Sequence, residues 1–167
     1  MSSPRYFGKY RSQVVDVRDP EERGRIRVMC PKVLGNSKSA WCEPCIPVAG
    51  DRDGDFCLPK VGEMVWVEFE EGNPSKPVYS GGWFSQGASP ISDYGEAQNI
   101  RVIQYGDSSV TFKNSPSEGM TLSLTLDKTG IAVTLHSDRI DLKVGDSKCS
   151  LTSEAINKLN DVLGGSA

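Results

Sequence analysis

Between Leu122 and Val144, nine apolar side chains (Leu122, Leu124, Leu126, Ile131, Val133, Leu135, Ile140, Leu142 and Val144) stand at alternate positions in three short runs, with Ser, Thr, Asp and Lys interleaved. Extended chain turns successive side chains to opposite faces, so this spacing predicts strands that share one continuous apolar face. Residues 100–151 read as six strands, at 100–104, 109–113, 120–127, 130–135, 139–144 and 147–151, parted by Gly-Asp, Ser-Pro, Asp-Lys-Thr-Gly, Ser-Asp and Gly-Asp-Ser turns. No helical periodicity in this stretch supplies a covering layer. Apolar patches on monomers ordinarily stop at roughly a few hundred Å2. Two arrangements satisfy the pattern: a self-contained two-layer sandwich, or copies of the chain packing their faces together. In the second, Leu122, Leu124, Ile131, Val133, Ile140 and Leu142 are the candidate contact residues.

Residues 13–84 carry a different rhythm, of short β-rich runs and turn clusters, with no helical stripe. Pro20 and Gly24 mark a hairpin turn, after which Ile26 and Val28 fall on one face. The segment 40–47 reads as an irregular edge strand, because Pro44 and Pro47 cannot donate ladder hydrogen bonds. The strongest strand is 63–70. Val65, Val67 and Phe69 point one way into a core, and Met64 and Trp66 point the other way as candidate partner contacts. Gly81 and Gly82 suit the tight bend of a small barrel of about five strands. Residues 85–99, rich in Gly, Ser, Pro and Asp, read as a linker. The expected organisation is a barrel over 1–84, a linker over 85–99, a β shaft over 100–151, and a short helix with its tail over 152–167. In that tail Ala155, Ile156, Leu159, Val162 and Leu163 recur at helical spacing, after an N-cap at Thr152 or Ser153 and before a stop at Gly164.

Chemistry is sparse. The balance of 22 acidic against 19 basic residues, a net charge of -3, gives no positive field to attract nucleic acid. No run approaches the roughly 18 apolar residues of a membrane span, and residues 1–12 lack an apolar signal-peptide core, so a soluble, cytoplasmically made chain without stable membrane association is expected. Five cysteines in an odd set predict reduced thiols. Cys42 and Cys45 have metal-ligand spacing, and Cys30 and Cys57 would have to complete the set. A zinc site ordinarily shows two such pairs, so burial as small apolar residues is the favoured reading. His136, the single histidine, has no neighbouring nucleophile motif and reads as a surface or turn residue. Glu63, Glu68, Glu70 and Glu71 crowd one strand and its turn rather than flanking a cleft. Trp41, Trp66, Trp83, Tyr79 and Phe84 could stack bases, but without a cationic track. Gly81 and Gly82 lack the Lys-Ser or Lys-Thr of a phosphate loop. No catalytic residue, cofactor or metal ligand is assigned.

The succession Tyr10, Arg11, Val14, Val15, Asp16, Asp19, Pro20, Gly24 to Val28, Pro31, Trp41, Pro47, Ala49, Gly50, Pro59, Gly62, then Val65-Trp66-Val67-Glu68-Phe69-Glu70-Glu71-Gly72-Asn73-Pro74-Ser75-Lys76-Pro77-Val78, Gly81 and Trp83 resembles the OB-fold domain of phage baseplate central-spike proteins and of type VI secretion VgrG spikes, the baseplate assembly protein V family. The resemblance covers about residues 9–84. It implies an all-β chain in which a five-stranded OB barrel is followed by a β-helical prism completed by homotrimerisation. It also implies a non-enzymatic role in a virion tail baseplate, assembled in the bacterial cytoplasm, with tail hub or tube proteins at one end and a separate spike-tip protein at the other. The 85–99 segment is too short for the lysozyme domain some relatives carry, and one histidine cannot form their His-x-His iron tip. The alternative reading is an OB-fold protein that binds single-stranded nucleic acid.

Overall fold

Strands are the dominant regular structure in the computed structural model, which describes residues 4–91, 94–117, 119–126 and 130–164. The chain divides into two units, Met1–Ala88 and Ser89–Ala167.

In the first unit five strands, β1 (Tyr10–Asp16), β2 (Arg27–Met29), β3 (Glu43–Pro44), β4 (Met64–Phe69) and β5 (Pro77–Gly82), form one sheet in the order β2-β1-β4-β5-β3. The sheet curls into a half-barrel. Its two outer strands are tied by an antiparallel bridge just ahead of each: Ile26 N donates to Cys42 O at 3.3 Å and Cys42 N to Ile26 O at 2.8 Å. Curling lets a single sheet enclose its own apolar face. Val14, Ile26, Val28, Cys30, Cys42, Val65, Val67, Phe69 and Tyr79 form the buried core. The alternation read in β4 is realised, with Val65, Val67 and Phe69 buried and Met64, Trp66 and Glu68 half-buried on the outer face.

Three local features differ from the sequence reading. The edge segment 40–47 contracts to the two residues of β3, and these run parallel to β5 in an otherwise antiparallel sheet. Proline limits the ladder there, as Pro44 has no N–H and only Cys45 N continues it, donating to Tyr79 O at 2.9 Å. A single helical turn, α1 (Pro31–Leu34), lies where no helix is expected; four residues are too few to show a period, and Pro31 at its start presets φ. The turn after β4 depends on Gly72, which is buried at φ 75°; a Cβ there would come within 3.1 Å of the Phe7 ring.

The second unit begins with a 3-10 turn over Tyr94–Asn99, inside the segment expected to be a linker, where residues 92 and 93 lie outside the described set. Six strands follow: β6 (Ile100–Tyr105), β7 (Ser108–Ser115), β8 (Gly119–Leu126), β9 (Ile131–Leu135), β10 (Arg139–Val144) and β11 (Ser147–Thr152). They form a purely antiparallel meander in the order β11-β10-β9-β8-β7-β6, as their turns predict. The Asp-Lys-Thr part of the predicted 127–130 turn lies outside the described residues. Helix α2 (Ser153–Leu163) ends the described chain. The Thr152 hydroxyl accepts from Ala155 N at 3.2 Å, and Gly164 adopts the left-handed conformation that stops the helix.

Removing buried volume from the first core leaves a cavity the curled sheet cannot close, so Ile26→Ala should cost about 2–5 kcal/mol, read from the shift of the urea midpoint at unchanged slope.

Candidate functional site

The outer face of β4 is built by cross-strand pairing. Arg11 on β1 stands opposite Trp66, which places its guanidinium carbon 5.6 Å from the Trp66 ring centre and 4.6 Å from that of Trp83. The two indoles tilt at 47° with centres 6.3 Å apart. A planar cation held over aromatic faces at this range is attractive and stiffens all three side chains. Met64, Trp83, the exposed Phe84 and Ala88 line a cleft of about 490 Å3 beside this cluster. The Trp83 Nε1 is buried and has no hydrogen-bond partner. The two residues expected to contact partners here, Met64 and Trp66, therefore share one aromatic face.

The loop between β1 and β2 is organised by Asp19. Its carboxylate accepts from the backbone N–H groups of Glu21, Arg23 and Arg25 at 3.1, 2.8 and 3.2 Å, and from Arg25 Nε and Nη2 at 3.0 and 2.6 Å. The Arg25 guanidinium, then these amides, hold the Asp19 carboxyl well below the usual carboxylate range. Trp41 lies against Arg25 and Arg27, and Arg27 Nε donates to Ser39 O at 2.9 Å. The arginines beside the tryptophans are thus engaged within the chain. Three acidic residues in and around β4, Glu63, Glu68 and Glu70, likewise have partners within the chain. Lys9 and Ser80 bind Glu68, whose carboxyl Lys9 chiefly lowers; Glu63 accepts from Lys60 N at 2.9 Å, and Glu70 faces Lys76 at 3.8 Å.

The cysteines separate by burial. Cys30 and Cys42 are fully buried in the core, whereas Cys45, Cys57 and Cys149 are exposed. Burial raises the Cys42 thiol to about 11, against a small lowering from the Ser39 hydroxyl 3.4 Å away. Among the described residues no group of three or more His, Cys, Asp or Glu is placed to hold a metal ion.

In the second unit the cross-strand register aligns Val110, Leu124, Val133 and Leu142 in one row, and Phe112, Leu122, Leu135 and Ile140 in the next. The six expected contact residues of this sheet therefore lie on one face. Leu124, Leu126, Leu135 and Val144 remain exposed by 41%, 44%, 41% and 65%. The only described residues of the unit that are buried, Thr121 and Asp141, belong to the other face and are polar.

That polar face corrects the reading of His136. Its side chain is only 6% exposed, with Nε2 3.1 Å from Asp141 Oδ2. Asp141 also accepts from Ser150 Oγ at 2.7 Å and lies 3.0 Å from Lys148 Nζ and 3.4 Å from Arg139 Nε. Ser150 and then Lys148 hold the Asp141 carboxyl well below its ordinary value. The turn at 137–138 suggested exposure, but the Asp141 carboxylate draws the ring onto the sheet. Because the carboxylate, not the imidazole, joins serine and histidine, the trio cannot pass a serine proton to histidine as a hydrolytic triad does.

Residues 10–84 match the family described as the type VI secretion system/phage-baseplate injector OB domain. The first unit carries this injector OB domain. The curled five-stranded sheet, its β4 core stripe and the Arg11–Trp66–Trp83 cluster all lie within the injector OB domain, and the family is a structural baseplate and injector domain. The chain matches no curated protein.

Native maleimide labelling at pH 8, followed by mass spectrometry, should modify Cys45, Cys57 and Cys149 rapidly, and Cys30 and Cys42 only on unfolding. Asp141→Asn should lower the thermal midpoint at pH 7. A carboxyl depressed on folding stabilises above its unfolded pKa of 3.8, and that contribution is lost as pH falls. The gap between variant and native chain should therefore narrow below about pH 4.

Proposed function

We propose that three copies of this chain assemble about one axis as a non-enzymatic spike or hub component of a contractile phage tail or related injection machine. The injector OB domain docks on a tail hub or tube, and the six-stranded sheets of three chains form the shaft towards a separate tip protein. The observation that carries this reading is the apolar face of the second sheet. A single layer that leaves Leu124, Leu126, Ile131, Leu135, Leu142 and Val144 in water is stable only with another layer against it, and identical chains around an axis supply that layer with matched chemistry. The match of residues 10–84 to an injector domain supports the setting. In this assembly Met64 and Trp66 contact a neighbouring subunit, Leu122, Leu124, Ile131, Val133, Ile140 and Leu142 form the shaft's core, and the complex resides in the virion baseplate.

Light scattering should give three times the 18.2 kDa of one chain. A stable monomer would refute the assembly. Leu124→Asp with Leu142→Asp places unpaired charges in the apolar seam and should abolish the trimer; a folded trimer of that variant would refute the seam. Salt-sensitive retention of labelled single strands would instead favour nucleic-acid binding by the OB domain.

A further inference from the structure

Helix α2 has no place to bury its apolar side within its own unit. None of its residues is buried, and Ile156, Leu159, Val162 and Leu163 are 43%, 56%, 84% and 74% exposed. Eleven residues are too few for a stable isolated helix in water, so an exposed apolar stripe on such a helix calls for a partner.

We propose that α2 is a self-association element: the α2 helices of the other copies cover this stripe, forming a short parallel bundle at the end of the shaft. The inference rests on the trimer proposed above, and three observations choose the occupant. Ile156, Leu159 and Leu163 have the i, i+3, i+7 spacing of a helical seam, with Ala155 and Val162 widening it on one flank. Every charge of the helix lies off that seam. Glu154 and Lys158 pair at 2.6 Å on the opposite side, and Asp161 falls one turn beyond Lys158 on that same side. Identical helices running in parallel place like residues at one level, so a charged seam would repel itself, whereas this one meets its copies without like-charge contact. The third observation is continuity. Thr152 both ends β11 and caps α2, and the preceding Leu151 stands opposite Ile140 in the apolar row. Chains that bring those rows together around an axis also bring their α2 starts to the same height around it.

The bundle would act as a clamp. It covers the apolar end of each chain and opposes slippage of one sheet along another, which a uniform Leu, Ile and Val seam resists poorly.

The test is cysteine crosslinking in the full-length chain carrying Cys45→Ser, Cys57→Ser and Cys149→Ser, which leaves only the buried thiols. Leu159→Cys and, separately, Ile156→Cys are placed in the seam; Lys158→Cys is the outward control. Each is treated with a short bismaleimide and run on a denaturing gel, with the mass in solution measured in parallel. The expected result is a trimer in which the two seam variants give a crosslinked dimer band at least tenfold stronger than Lys158→Cys. A trimer whose three variants crosslink equally, or not at all, would overturn the bundle and leave the shaft standing. A monomer would overturn both.

Discussion

A single-layer sheet with one apolar face must hide that face, and the two halves of this chain meet the requirement differently. In the first unit the sheet curls until Ile26 and Cys42 bridge its outer strands, so its core lies inside its own curvature. In the second unit six regular strands form a plain meander whose apolar rows stay open. The same period-two alternation underlies both. The difference lies in irregularity: the first sheet has shifted register at Val14 to Asp16 and at Val65 to Val67, and these bulges increase local twist and bend. The second sheet keeps regular register throughout its described pairs, so it has no built-in device for enclosing its face.

Polar groups complete the division of labour. Asp19 gathers three backbone amides and a guanidinium, and so shapes the loop that returns the chain from β1 to β2. Asp141 does comparable work on the far sheet, drawing Ser150, Lys148, Arg139 and His136 around one carboxylate. Each is a carboxylate surrounded by donors, an arrangement that favours the ionised form and holds side chains in place. In the second unit these bonds cluster on the polar face, and the apolar face stays exposed.

Several side chains that chemistry could use are engaged with one another in the first unit. The tryptophans stack with arginines, those arginines face carboxylates, carbonyls or rings, and Glu68, the acidic residue of β4, is held by Lys9 and Ser80. The Cys42 thiol, raised by its burial, sits in the core among aliphatic side chains. Much of the exposed surface is apolar or aromatic, the kind of surface subunit contacts consume.

The strands, their alternation and the capped helix at 153–163 were legible in the residue pattern, because period two and period 3.6 are properties of local backbone geometry, which any segment long enough displays. The injector OB domain was legible too, through residues recurring in order from Tyr10 to Trp83. Short or irregular features were not: α1 and the parallel β3 are too brief to show a period, and the burial of His136 depends on Asp141, five residues on and across a turn. Sequence by itself determined which faces are apolar. Only the tertiary structure decided which of them is enclosed, because enclosure depends on sheet curvature and on bridges such as Ile26 to Cys42, and these join residues that local pattern treats as independent.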